Sequence, residues 1–288
     1  MKNLLKQTLE GHQAKINCLI SANVPLLGEK SRLRDACEYA LLNGGKRFRP
    51  ALVFLVADAL NSKCDLSFAA LAVEYFHTAS LIADDLPCMD DDAERRNMPS
   101  LHIAFGEATA LMASYALISA GYGAIAKNAE HLSSTTETHA VNGYQICCMA
   151  LENVSFNTGL FGATGGQFLD LNPPDLEIKT LYSIANKKTA SLFEISFVLG
   201  WLFGGGDLKK LPLVKKAAYH FGMAFQIGDD LGDMQQDLKN GTEVNIALSV
   251  GKERAQELFD QESASYQQLL GELNIASPEL SALATVFY

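Results

Sequence analysis

Two aspartate clusters lie far apart in this chain, and an apolar run leads into each: Ser80-Leu-Ile-Ala-Asp84-Asp85-Leu-Pro-Cys-Met-Asp90 and Phe225-Gln-Ile-Gly-Asp229-Asp230-Leu-Gly-Asp233. Such run-ups put the acids at the edge of a core, where like charges repel unless a cation or basic group neutralises them. A single Asp-Asp pair is most often a helix cap or a solvated helix end. Two matched clusters favour a metal, and the hard ion Mg²⁺ is usually held by a few carboxylates together with the oxygens of a bound phosphate. Helical spacing puts Asp229 and Asp233 on one face and turns Asp230 partly aside. Pro87 disfavours helix at Leu86, so the chain turns there and Asp84 can meet Asp90.

Apolar residues recur at helical spacing through most of the sequence, and the prolines fall at or near the ends of these runs. The pattern predicts an all-α chain with helices at 3–22, 30–43, 50–61, 66–86, 103–128, 140–160, 178–203, 210–236, 247–271 and 278–286. Val24-Pro25, Asn43-Gly44-Gly45, Met98-Pro99, Asn172-Pro173-Pro174, Leu211-Pro212 and Asn240-Gly241 mark the breaks. No Ser/Gly linker or charge block divides the chain, so the expectation is one domain over residues 1–288. Ala190 to Phe203 is the most apolar stretch and reads as a buried core helix that carries Glu194.

A formal charge of −10 argues against nucleic acid as a partner, because that binding depends on Lys and Arg neutralising phosphates. No stretch reaches the roughly 18 uninterrupted apolar residues of a membrane span. The N-terminal Met1-Lys-Asn-Leu-Leu-Lys-Gln lacks the features of a signal or transit peptide, and the expected location is cytoplasmic. The six cysteines are scattered without zinc-ligand spacing.

Basic residues concentrate at Lys46-Arg47-Phe48-Arg49, Arg95-Arg96 and Lys187-Lys188. Gly44-Gly45 permit a tight turn and Pro50 suits the first position of a helix. Lys46 and Arg49 there either form an ordinary basic loop or grip an anion. Arg95 and Arg96 either pair with Asp91, Asp92 and Glu94 or contact a phosphate. His77 reads as a half-buried helix histidine, Lys188-Thr189 as a solvated face and cap, and Gln226 as a core amide, each with a polar role at the cavity as the alternative. Gln167 and Asp170, after Gly165-Gly166, form a polar patch facing the cavity.

Taken jointly, Gly44 to Pro50, His77 to Asp90, Arg95-Arg96, Phe105 to Ala108, Gly165 to Asp170, Lys188-Thr189 and Phe225 to Asp233 resemble the trans-isoprenyl diphosphate synthase family of short-chain, farnesyl or geranylgeranyl type. The resemblance implies a single-domain helical bundle around a deep central cavity, usually a homodimer. It implies that Asp84, Asp85, Asp90, Asp229, Asp230 and Asp233 hold three Mg²⁺ with an allylic diphosphate. Arg95 would touch that diphosphate, and Lys46, Arg49, His77 and Arg96 would hold isopentenyl diphosphate. Lys188, Thr189 and Gln226 would assist the leaving group and stabilise the cation.

Ala79 and Ser80 are small where farnesyl-producing relatives tend to place a bulky aromatic, a pattern more like that of a C20 than a C15 synthase. Phe76 or Tyr115 could close the tunnel from another side. The segment after the second cluster is short, and Lys239 stands in for lysines that relatives use there to bind diphosphate. Ala83, Asn97-Met98 and Tyr115 also depart from the family pattern. The competing readings are a noncatalytic subunit of such a synthase and a terpene cyclase. The cyclase would not need the Gly44 to Arg49 segment.

Overall fold

Residues at three- and four-residue apolar spacing fold into the expected α-helices in the computed structural model, which describes residues 2–135 and 142–286. The first helices are α1 (Lys2–Asn23), α2 (Arg32–Leu42), α3 (Phe48–Ala59) and α4 (Ser67–Asp84). A small antiparallel hairpin, β1 (Glu94–Arg95) and β2 (Met98–Pro99), leads into α5 (Leu101–Phe105) and α6 (Glu107–Thr135). Then come α7 (Gly143–Thr158), α8 (Ala163–Leu171), α9 (Ile178–Ala185) and α10 (Ser191–Phe203), with a π turn at Asn186–Ala190 between the last two. The chain closes with α11 (Leu211–Asn240), α12 (Ile246–Val250), α13 (Lys252–Leu273) and α14 (Pro278–Val286).

Helix α10 is the axis of the bundle. Twelve of its thirteen residues are buried, and the exception is Glu194, as expected for a helix apolar nearly all round. Helices α3, α4, α7 and α11 pack around it. Phe193, Phe197 and Phe221 are at most 1% exposed and meet Tyr266 of α13 in an aromatic cluster. Each such ring contributes about 1.5–3 kcal/mol by burial. Helices α4 and α6 lie along one another on one side, α11 and α13 on the other. This is an all-α, single-domain bundle.

Several boundaries differ from the sequence expectation for identifiable reasons. Helix α3 starts at Phe48 behind Arg47, which adopts a left-handed conformation (φ 50°), so Pro50 is its third residue rather than its first. That position still tolerates proline, because the first-turn N–H groups have no helical partner. The expected 103–128 helix breaks at Gly106 (φ 86°) and the 247–271 helix at Gly251 (φ 83°). Helix α8 was not among the expected helices, which left 161–177 unassigned. Positions 140 and 141 of the expected 140–160 helix lie outside the described residues.

By length and composition, Glu107–Ser133 is apolar enough to cross a membrane. In the bundle one side of it packs along α4, and the other exposes Met112 and Tyr115.

Candidate active site

Helix α4 ends at Asp84, and the chain then folds back so that the Asp90 amide donates to the Asp84 carbonyl at 2.9 Å. The turn predicted at Pro87 thus brings the two acids together. Burial raises Asp84 to about 7, with nearby Asp90 adding to the rise and Lys188 opposing it. Gln167 of α8 donates to the Asp90 carboxylate at 3.1 Å. Asp85 points elsewhere. It is 3% exposed and is held by the Arg95 guanidinium, which also bonds Asp92 at 2.7 Å. The hydrogen bond to Asp85 raises the Arg95 pKa above its ordinary value.

The second cluster divides in the same way. Asp229 and Asp233 are accessible from the cavity, and recession in the cleft, with Asp233 alongside, raises Asp229 to about 6. Asp230 is buried, and its carboxylate accepts from Gln226 at 2.7 Å and from the Ile246 amide at 2.7 Å. Of the expected six acids, Asp85 and Asp230 are the buried ones, Asp85 Oδ1 held by Arg95 and Asp230 by Gln226 and the Ile246 amide, while Asp84, Asp90, Asp229 and Asp233 are more accessible. Among the described residues, no group of three or more His, Cys, Asp or Glu side chains stands close enough to enclose an ion unaided.

Between the clusters lies the π turn. Lys188 is paired with Asp170; burial disfavours its charge, but Asp170, Asp90 and Asp84 together raise its pKa. Thr189 donates its hydroxyl hydrogen to Gln226 Oε1 at 2.6 Å, and Gln226 donates in turn to Asp230. This chain leaves the lone pairs of Thr189 as acceptors. Lys188 and Thr189 line two adjoining cavities. One, of about 290 Å³, is bordered by Asp170, Asp229, Asp230, Asp233 and Asp237. The other, of about 460 Å³, runs from Asp84 past Ser80, Ala79 and Phe76 between apolar walls. Its volume suits a small-molecule site.

A cationic basin adjoins both. Arg49 is half-buried at the edge of the apolar cavity, lies 4.4 Å from the Phe193 ring centre, and its buried Nε has no hydrogen-bond partner among the described residues. Burial lowers its pKa to about 10, against the pull of Glu74 and Asp229. His77 is half-buried, as expected, with Nδ1 lacking a hydrogen-bond partner among the described residues; desolvation and the nearby Arg49 and Arg96 hold it well below its ordinary pKa, as a neutral imidazole. Arg96 bonds Asn43 and the Gly44 carbonyl, and Lys46 lies close enough to Asp229 to lower its pKa. Unpaired buried donors near several guanidinium groups favour an anion.

At Gly45 (φ 112°) a Cβ would fall 2.4 Å from Arg96 Cζ. Gly45→Ala is expected to displace Arg96 and weaken the binding of inorganic pyrophosphate about tenfold by calorimetry.

Of the residues expected from sequence, the fold brings Asp84, Gln167, Asp170, Lys188, Thr189, Gln226, Asp229, Asp230 and Asp233 to the two cavities, with Asp90 bonded to Gln167 beside them and Lys46, Arg49, His77 and Arg96 around the basin. Lys239 sits exposed near the end of α11 and lines neither cavity. Tyr115 is 55% exposed and does not reach the apolar cavity, whereas Phe76 does. Sequence reasoning passed over Glu74, although a charged residue inside the apolar run Phe68 to Phe76 is a signal for a buried pair. It also passed over Asp237 and Asn245, which line the smaller cavity.

Comparison with known proteins agrees with this geometry. Residues 30–244 match the polyprenyl synthetase family. The chain is 36% identical over 230 residues to the heterodimeric geranylgeranyl pyrophosphate synthase large subunit 1 of Arabidopsis thaliana, covering 78% of this chain and 60% of that relative. It is 32% identical over 287 residues to geranylgeranyl pyrophosphate synthase 11 of Arabidopsis thaliana, covering 94% and 78%. Among solved structures, an FPP/GFPP synthase from Zymomonas mobilis superposes with a TM-score of 0.84 at 26% identity, with both chains fully covered.

Proposed function

The chain belongs to the polyprenyl synthetase family, and from that premise we propose that it joins isopentenyl diphosphate to an allylic diphosphate, making a short-chain all-trans prenyl diphosphate. The observation that carries the reading is the adjacency of three features at the Lys188–Thr189 turn: cavity-facing aspartates, a deep apolar cavity and a cationic basin.

Asp84, Asp90, Asp229 and Asp233 supply the hard oxygen donors that would hold Mg²⁺ with the allylic diphosphate. When bound, Mg²⁺ supplies positive charge that eases departure of the diphosphate. Lys188, kept protonated beside Asp170, adds a fixed cation at the same place. The Thr189 oxygen, its hydrogen committed to Gln226, offers lone pairs to the allylic cation. Arg49, His77, Lys46 and Arg96 hold the diphosphate of isopentenyl diphosphate, whose alkene attacks C1 of the cation; a proton is then lost, in this reading to the released diphosphate. The apolar walls of the larger cavity exclude water, which would otherwise capture the cation as an alcohol.

Phe76 acts as the floor. It is buried edge-on against Tyr122, eight residues before Asp84, or about 12 Å along α4 at 1.5 Å per residue. Phe76→Ala is expected to lengthen the main product by at least one five-carbon unit, read by mass spectrometry, and an unchanged length would place the floor elsewhere.

The partner in this reading is a second copy of the chain. No charged residue occurs between Glu107 and Lys127, and Met112 and Tyr115 of α6, Phe156 of α7, and Leu160 and Phe161 lie exposed. Sedimentation velocity of the purified protein tests this.

Incubation with Mg²⁺, isopentenyl diphosphate and each allylic primer, followed by mass spectrometry, tests the activity. A C15 or C20 prenyl diphosphate supports it; no condensation with any primer, in folded protein, overturns the stand-alone enzyme and favours a noncatalytic subunit.

A further inference from the structure

The segment Gly44 to Arg49 takes its shape from residues outside it. Its two glycines and Arg47 all have positive φ (94°, 112° and 50°), so three of four successive residues depart from ordinary backbone. For arginine a left-handed conformation is unfavourable and persists only where surrounding contacts over-determine it. Those contacts are present. The Arg47 side chain is 1% exposed, and its guanidinium donates to Glu74, to the Leu41 carbonyl and, through Nε, to Asn17 Oδ1 at 3.0 Å. Gln13 donates to the Gly45 carbonyl at 2.7 Å. Glu74, 1% exposed, also receives the Thr78 hydroxyl at 3.4 Å, and its Oε2 has no partner among the described residues.

Arg47 therefore does not face the anion basin as Arg49 does, although the two are separated by a single residue. Its charge is spent on a buried carboxylate. Breaking a buried pair by removing one partner strands the other charge, so the loop has one favoured conformation. Helix α1 supplies the other anchors, Gln13 and Asn17, and it precedes residue 30, where the family match begins.

We propose that Glu74, Arg47, Asn17 and Gln13 are positioning residues that lock the Gly44–Arg49 turn from behind and so present Lys46 and Arg49 to the diphosphate of isopentenyl diphosphate. This rests on the functional reading above. None of the four touches the reacting atoms; they act through the loop. Small displacements of binding groups have large effects on a diphosphate, because charge-assisted bonds need near-ideal geometry. The allylic diphosphate would be held chiefly at the aspartate clusters, which none of the four locking residues contacts.

The test uses the full chain with Gln13→Ala and Asn17→Ala combined, both being partly exposed side chains on α1. The KM for isopentenyl diphosphate is expected to rise about tenfold, while kcat and the KM for the allylic diphosphate stay within about twofold. Amide hydrogen exchange at Gly45 to Arg47 should be faster in the substrate-free variant. Asn17→Asp, which keeps an oxygen for Arg47 Nε, should restore the KM that Asn17→Ala raises. Glu74→Gln should act in the same direction more strongly; if it does not fold, the α1 variants still decide the matter. Equal rises in both KM values, or exchange no faster than in the unmodified protein, would overturn the device. Failure of the unmodified enzyme to condense any primer would instead overturn the functional reading, and the exchange experiment would still report on the loop.

Discussion

Replacing Asp84 or Asp229 by asparagine is expected to lower kcat about a thousandfold or more, as the loss of a group that stabilises leaving-group charge does elsewhere. The side chains keep their shape, so the loss is one of charge at the cavity rather than of packing. Stability should move the other way. In the folded chain Asp84 titrates near 7, against an ordinary carboxylate value of 3.8. Between those values the folded state binds more protons than the unfolded state, so the substrate-free protein loses stability as pH rises through about 7. Asparagine removes that dependence. The Asp84→Asn protein should therefore melt at a higher temperature than the unmodified protein at pH 8, without metal, while being nearly inactive. A variant that is inactive and also less stable at pH 8 would mean that Asp84 serves the fold. Retained turnover would mean that the cluster has a regulatory use. If Asp84 and Asp229 hold the metal as proposed, activity of the unmodified protein should rise through about pH 6 to 7, because a metal-ligating carboxylate must be unprotonated.

Gly166→Ala is expected to cost about a hundredfold in kcat, since misplacing catalytic groups by about 1 Å has effects of that size. A Cβ at Gly166 would lie 2.4 Å from the Lys188 amide nitrogen and 2.7 Å from the Lys187 carbonyl carbon, backbone that cannot rotate away. Helix α8 would have to withdraw, taking Asp170 from Lys188 and Gln167 from Asp90. Overpacking of this kind also destabilises by about 1–3 kcal/mol, measurable by urea unfolding. A fall in stability with kcat unchanged would show that the π turn holds its place without α8.

The reason α8 was invisible in the sequence is the same contact. Two glycines in a nine-residue helix weaken its local propensity, and Gly166 is required there because the backbone at Lys187 and Lys188 presses against the helix. The π turn was equally hidden, since 178–203 has unbroken helical periodicity and one extra residue in a turn leaves no mark on composition. Composition alone does not separate Arg47 from Arg49 in one basic segment; in the structure Arg49 faces the basin while Arg47 is buried against Glu74.

What could be read along the chain was whatever depends on neighbours in sequence. Apolar spacing dictated the helices, and the matched aspartate clusters with their basic companions marked the family. What could not be read was which of the acids and bases remain free. A carboxylate oxygen that is already hydrogen-bonded within the protein is less available to a ligand than one that faces solvent. Asp85 is taken by Arg95, which lies beyond a turn, and Asp230 by the Ile246 amide, which lies beyond a loop. Gln13 reaches Gly45 across thirty-two positions. Such assignments arise only when distant segments pack, because hydrogen-bond partners are chosen by distance in space and each bond made excludes another.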